Sequence, residues 1–136
     1  MREKALNYLA MMRKANAIQI GENNTGAAIR AQQAKLVLLA SDASANAKNR
    51  AESFVYGRNV PLIVAPFTKE EISDKVGKCG CSMAAVCDIG FAGAFLKALS
   101  VYDSEKYSAA LTVIEEQKTD LHKSEDKNKK TGKRRK

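Results

Sequence analysis

Gly21-Glu22-Asn23-Asn24 places a glycine, a carboxylate and two amides in four consecutive positions ahead of a short helical segment. Each amide side chain carries two donors and an acceptor. A helix start adds unpaired backbone N–H groups and a partial positive charge. Together these can hold a phosphate or a base edge through directional hydrogen bonds. Asn23 or Asn24 is expected to cap the helix. On residue chemistry alone, an ordinary turn followed by a capped helix explains the same four residues.

The second cluster is Lys78-Cys79-Gly80-Cys81-Ser82. Two thiolates separated by one residue fall short of a tetrahedral metal set. Cys87 is expected in a buried strand, and His122, the single histidine, lies in a distant polar tail. No metal site is expected. A disulfide between Cys79 and Cys81 is strained at this spacing, and two ordinary loop thiols are the simpler reading. With its sole histidine so placed, the chain offers no Cys–His or Ser–His pair for nucleophilic catalysis. It has no phosphate-binding glycine loop closed by lysine. Glu70-Glu71 and Glu115-Glu116 read as solvated helix faces. The expectation is a protein that is not an enzyme, with no cofactor and no small-molecule substrate.

The elements that must position these clusters alternate along the chain. Ala5, Leu6, Tyr8, Leu9 and Met12 have helical spacing within residues 2–14. Ala17 to Ile20 is a short strand ended by Gly21, and the next helix runs to about Gln33. Leu36-Val37-Leu38-Leu39-Ala40, uninterrupted by a polar residue, reads as a strand buried on both faces. Ser44 is a cap for a helix from Ala45 to Tyr56, with Ala47, Ala51, Phe54 and Val55 on one face. Gly57-Arg58-Asn59 closes it with residues that tolerate left-handed geometry. Pro61 to Ala65 is a second buried strand. Thr68 and Glu71 form a capping box for a helix that stops near Gly77. Met83 to Cys87 is a strand, and Phe91 to Leu99 the last core helix. Tyr107, Ala110, Leu111 and Ile114 predict one further helix.

Alternating strands and helices predict an α/β fold, a small central sheet with helices on both faces. A 45% apolar share in 136 residues suits one folded domain. No apolar run approaches the roughly 20 residues that span a bilayer. The N-terminus lacks an apolar signal core, and three cysteines form no secreted framework. A cytoplasmic location is expected, without membrane contact. The net charge of +8 is uneven. From Gln117 to Lys136 there are nine Lys or Arg against three Asp or Glu, a net +6; the other 116 residues carry 14 basic and 12 acidic, a net +2. The tail from about Lys118 has little to bury and reads as disordered in isolation. Its charge favours polyanions without specifying sequence, and it lacks aromatics for base stacking.

The order Gly-x-Asn at Gly21, Ala34-Lys35-Leu36-Val37, then Ala40-x-Asp42 resembles the kink-turn-binding L-seven-Ae/L-thirty-e ribosomal protein family. The run from Leu9 to Glu22 resembles the first helix and strand of its small bacterial members, and Cys87 to Ala92 their last strand and turn. The likeness covers roughly residues 4 to 100. It implies a three-layer α-β-α sandwich with a small mixed sheet over residues 1–100. A C-terminal helical extension at 101–117 and the basic tail at 118–136 would follow. It implies structured RNA as the partner, ribosomal RNA among the candidates, and leaves the oligomeric state open. Carried over, Gly21, Glu22, Asn23 and Asn24 approach the sheared pairs of the kink. Lys78, Cys79, Gly80 and Cys81 cover a displaced nucleotide.

Three departures matter. Asn24 stands where a glutamate is common, and its carbonyl oxygen still accepts a hydrogen bond. Ala27 stands where many members have a backbone-contacting lysine, with Arg30 as the nearest compensation. Ser73 replaces the first glycine of the Leu-Gly-x-x-x-Gly helix, here Ile72 to Gly77. The rival reading is a protein-interaction module on the same fold that has lost specific RNA recognition. A thiol redox sensor at Cys79 and Cys81 is a third.

Overall fold

The structure, a computed structural model, describes residues 2–77 and 82–117. In chain order the elements are α1 (Arg2–Lys14), β1 (Ile18–Ile20), α2 (Glu22–Arg30), β2 (Leu36–Leu39), α3 (Ala45–Val55), β3 (Leu62–Val64), α4 (Lys69–Val76), β4 (Met83–Val86) and α5 (Ile89–Tyr102). A last helix, α6, covers residues 104–117. The expected disordered tail falls on residues outside those described.

All four residues of β2 are buried, as are all four of β4. The two pair antiparallel, with Leu38 opposite Ala84. β1 adds to the far side of β4 antiparallel, and β3 runs parallel to β2, giving the mixed order β1-β4-β2-β3. Successive side chains of a strand face opposite ways. Leu36 and Leu38 therefore enter one core, with Leu9, Met12, Ile72, Phe95, Leu96 and Leu99 from α1, α4 and α5. Val37 and Leu39 enter the other, with Ala28, Ile29, Ala47 and Ala51 from α2 and α3. This is a three-layer α-β-α sandwich. The edge strand β3 is only half-buried at Leu62 and Val64, less than a central strand would be.

Local chemistry sets most helix ends. Ser44 Oγ accepts from Ala47 N at 3.1 Å. Thr68 and Glu71 form the expected reciprocal box, at 3.2 and 3.0 Å, and Gly77 closes α4 with φ 71°. Helix α5 starts two residues before Phe91 because Asp88 Oδ1 accepts from Phe91 N at 3.0 Å. Helix α2 ends at Arg30, short of Gln33, where Gln32 takes φ 62°.

Helix α6 packs into the larger core through Tyr107, Ala110 and Ile114. The Tyr107 hydroxyl donates to Val64 O at 2.8 Å, supplying the edge strand with a partner. Burial, then the negative groups of Asp103 and Tyr102, push this phenol up to about 12. A folded value above the ordinary value of about 10 favours the neutral phenol in the native state. Its stabilisation is full below about pH 10 and is lost as pH rises from there towards 12. Tyr107→Phe is expected to cost about 1 kcal/mol at neutral pH. It should also flatten the fall in melting temperature across the alkaline window. Thermal melts from neutral to alkaline pH, with phenolate absorbance followed in parallel, check both.

Candidate nucleic-acid interface

Strand β1 hands over to α2 through Gly21. Its φ of 95° and ψ of 162° fall in a region that only glycine adopts freely. A Cβ there would meet nothing within 4 Å, so the requirement is torsional. Gly21 N donates to Met83 O at 3.0 Å, and Gly21 O accepts from Thr25 N at 2.9 Å. The same residue thus pins the turn to β4 and opens the helix.

Gly21 is itself the N-cap, and no side chain caps α2. This corrects the expectation that Asn23 or Asn24 does so. Both stand inside the first turn, whereas a capping side chain belongs to the residue just before the helix. Asn24 Nδ2 instead donates backward to Ile20 O at 2.9 Å. That uses one of the amide's two N–H donors in the fold and leaves Oδ1 as its acceptor. Asn23 and Asn24 are both exposed. Among the described residues, no side chain caps the backbone N–H groups of the first turn.

Glu22 is engaged by Arg50 of α3. The pair is exposed enough to add little stability. Its effect is electrostatic, since it offsets the carboxylate beside the two amides. Arg50 lies 28 positions away, and no local signal in the sequence announces it.

Asn23, Ala27 and Arg30 fall on one face of α2 by helical periodicity, and all three are exposed. A Cβ on buried Gly26 would lie 3.0 Å from the Phe54 ring and 3.2 Å from Arg30 Nη1. Glycine here lets α3 approach closely and lets the Arg30 guanidinium lie back over the preceding turn. The cation therefore stands beside Gly26, one residue before Ala27. Beneath the turn, Thr25 is fully buried, and its hydroxyl has no hydrogen-bond partner among the described residues.

Lys78, Cys79, Gly80 and Cys81 lie outside the described residues, but both ends of their loop are placed. Gly77 ends α4. Ser82 O accepts from Ala40 N at 2.9 Å, next to Met83, which holds Gly21. The topology thus brings the Gly21 turn and the root of the loop to one end of the sheet. Ser73 sits within α4, its carbonyl accepting from Gly77 N at 2.8 Å.

Cys87 lies at the opposite end, just after β4, and is half-buried instead of sitting within the strand. Burial pushes its thiol up, against the opposing pull of the Lys35 charge. Among the described residues no group of three or more His, Cys, Asp or Glu is placed to hold a metal. None of the described helices is long and apolar enough to cross a membrane.

The Enterococcus faecium RNA-binding protein YlxQ is 34% identical over 91 residues, which cover 67% of this chain and 86% of that one. A Bacillus halodurans protein described as having unknown function superposes with a TM-score of 0.66 at 24% identity. That match covers 71% of this chain and 97% of the other, and it is a likeness of fold. The family model described as "Ribosomal protein L7Ae/L30e/S12e/Gadd45 family" matches residues 3–95. The chain belongs to that family.

Proposed function

We propose that this protein binds structured RNA of the kink-turn kind and acts by binding instead of catalysis. The observation that carries the reading is the first turn of α2, left without a side-chain cap by Gly21 and flanked by two exposed amides. Asn23 and the Asn24 carbonyl meet base edges, the open N–H groups face the backbone, and Arg30 supplies the cation that Ala27 does not. The loop Lys78 to Ser82 covers a displaced nucleotide. Residues 1–100 form the recognising unit, 101–117 the extension that braces β3, and 118–136 a source of unspecific phosphate contacts. The name of the Enterococcus relative, an RNA-binding protein, supports the class of partner. A cytoplasmic, ribosome-associated role completes the reading.

A second reading rests on the opposite surface. Lys4, Tyr8, Lys97 and Val101 line a cleft of about 400 Å³ between α1 and α5. Val101 is 67% exposed and Tyr102 50%. These suit a protein partner, with specific RNA recognition lost.

Sequencing the RNA crosslinked to the full chain in cells separates the two. RNA binding predicts crosslinks centred on kinked internal loops, ribosomal ones included. Crosslinks no more abundant than those of an unrelated basic protein would count for the second reading.

A further inference from the structure

A second cleft, of about 390 Å³, opens at the other end of the sheet from Gly21. Among the described residues its lining includes Lys35, Arg58, Gln32, Asn59 and Gln117, and no carboxylate. Strands β2 and β3 start here and run parallel towards the Gly21 end. Arg58 Nη1 donates to Ile29 O at 3.1 Å, which fixes the guanidinium beside the end of α2. One of its five donors is used there. Lys35 is half-buried at the start of β2, and its charge is felt at Cys87. Gln117 Nε2 donates to Asn59 O at 2.6 Å.

Beside it stands Tyr56. Its φ of −58° and ψ of 129°, with Gly57 at φ 72° and Arg58 N donating to Val55 O at 3.0 Å, make a type II turn. Such a turn requires φ above zero at its third residue, which explains Gly57. Tyr56 at its second residue is 86% exposed and adds almost nothing to the core. An exposed aromatic ring two residues from a cleft arginine combines a stacking face with phosphate-binding donors.

We infer that Tyr56, Lys35 and Arg58 form a second RNA site, which takes a single-stranded segment with a base on the Tyr56 ring and its phosphates in the cleft. The inference builds on the RNA-binding reading and adds a site separate from the kink contacts. A kinked duplex at Gly21 and a strand at Tyr56 then occupy opposite ends of the sheet at the same time.

The test uses the full chain and two labelled RNAs, a kinked duplex and an unstructured uridine oligomer, titrated by fluorescence anisotropy. Saturating unlabelled duplex should leave the oligomer bound. Tyr56→Ala should weaken oligomer binding by about 5- to 150-fold, the range of one base–aromatic stack. Its affinity for the duplex should be unchanged, which also shows that the variant is folded. Lys35→Gln with Arg58→Gln should reduce the salt dependence of oligomer binding. Displacement of the oligomer by the duplex would overturn the inference. So would an unchanged affinity in Tyr56→Ala, or complete loss of oligomer binding on deleting residues 118–136 alone. If the wild type shows no preference for the kink yet holds the oligomer through Tyr56, kink recognition fails and this site stands.

Discussion

Leu38→Asp is expected to abolish cooperative folding. Leu38 is fully buried and enters the larger of the two cores. It stands in a central strand, opposite Ala84 on β4 and Ile63 on β3. Among the described residues Thr25 is the only buried polar or charged one, and Leu38 has no solvent-exposed surface. An aspartate there must stay charged without a partner or take up a proton and still lack hydrogen bonds. Either route costs several kcal/mol, and the lost leucine packing adds about 2–5 more. The sum is comparable with the whole stability of an ordinary domain, about 5–15 kcal/mol. Leu38→Met keeps the volume and should cost less than about 1.5 kcal/mol. Urea unfolding of the three proteins decides the matter. An aspartate variant that unfolds cooperatively near the wild-type midpoint would mean that Leu38 is not in the core.

The success of that strand reading has a physical reason. Four apolar residues in a row leave no polar face, so β2 can only be central. The caps at Ser44 and Thr68 were legible for a similar reason, because each is satisfied within three residues. Asp88 obeys the same rule but was masked by reading Cys87 to Ala92 as strand and turn. What failed was the cap at Asn23 or Asn24. The amide type was suited to it, but the unusual torsions of Gly21 moved the helix start two or three residues earlier. Contacts between distant positions left no local trace. The pairing of Arg50 with Glu22 and the bond from Tyr107 to Val64 depend on the folded topology alone. At the candidate site, the Gly21 turn and the root of the Lys78 loop were linked only by resemblance. The β1–β4 register supplies the physical link, through Gly21 N and Met83 O.

Changing Asn23 and Asn24 together to alanine is expected to remove the preference for a kinked duplex over a plain one. Their contacts are directional, and each good base contact contributes about 1–3 kcal/mol of discrimination. Losing two should reduce the preference by about 30-fold or more. Asn24 also holds Ile20 O, so its loss disturbs the turn as well as the contact. Asn23→Ala leaves that bond intact and should still lower the preference by about fivefold or more. Phosphate contacts behave differently, because they respond to salt and largely ignore sequence. Arg30→Gln should weaken both duplexes alike and reduce the salt slope by about one. Deleting residues 118–136 should also weaken both and flatten the slope further. The measurement is a set of titrations of kinked and plain RNA at two salt concentrations, with a melt of each variant as the folding control. Kink recognition at Gly21 is wrong if the wild type shows no preference, or if the preference disappears with the tail while Asn23 and Asn24 remain.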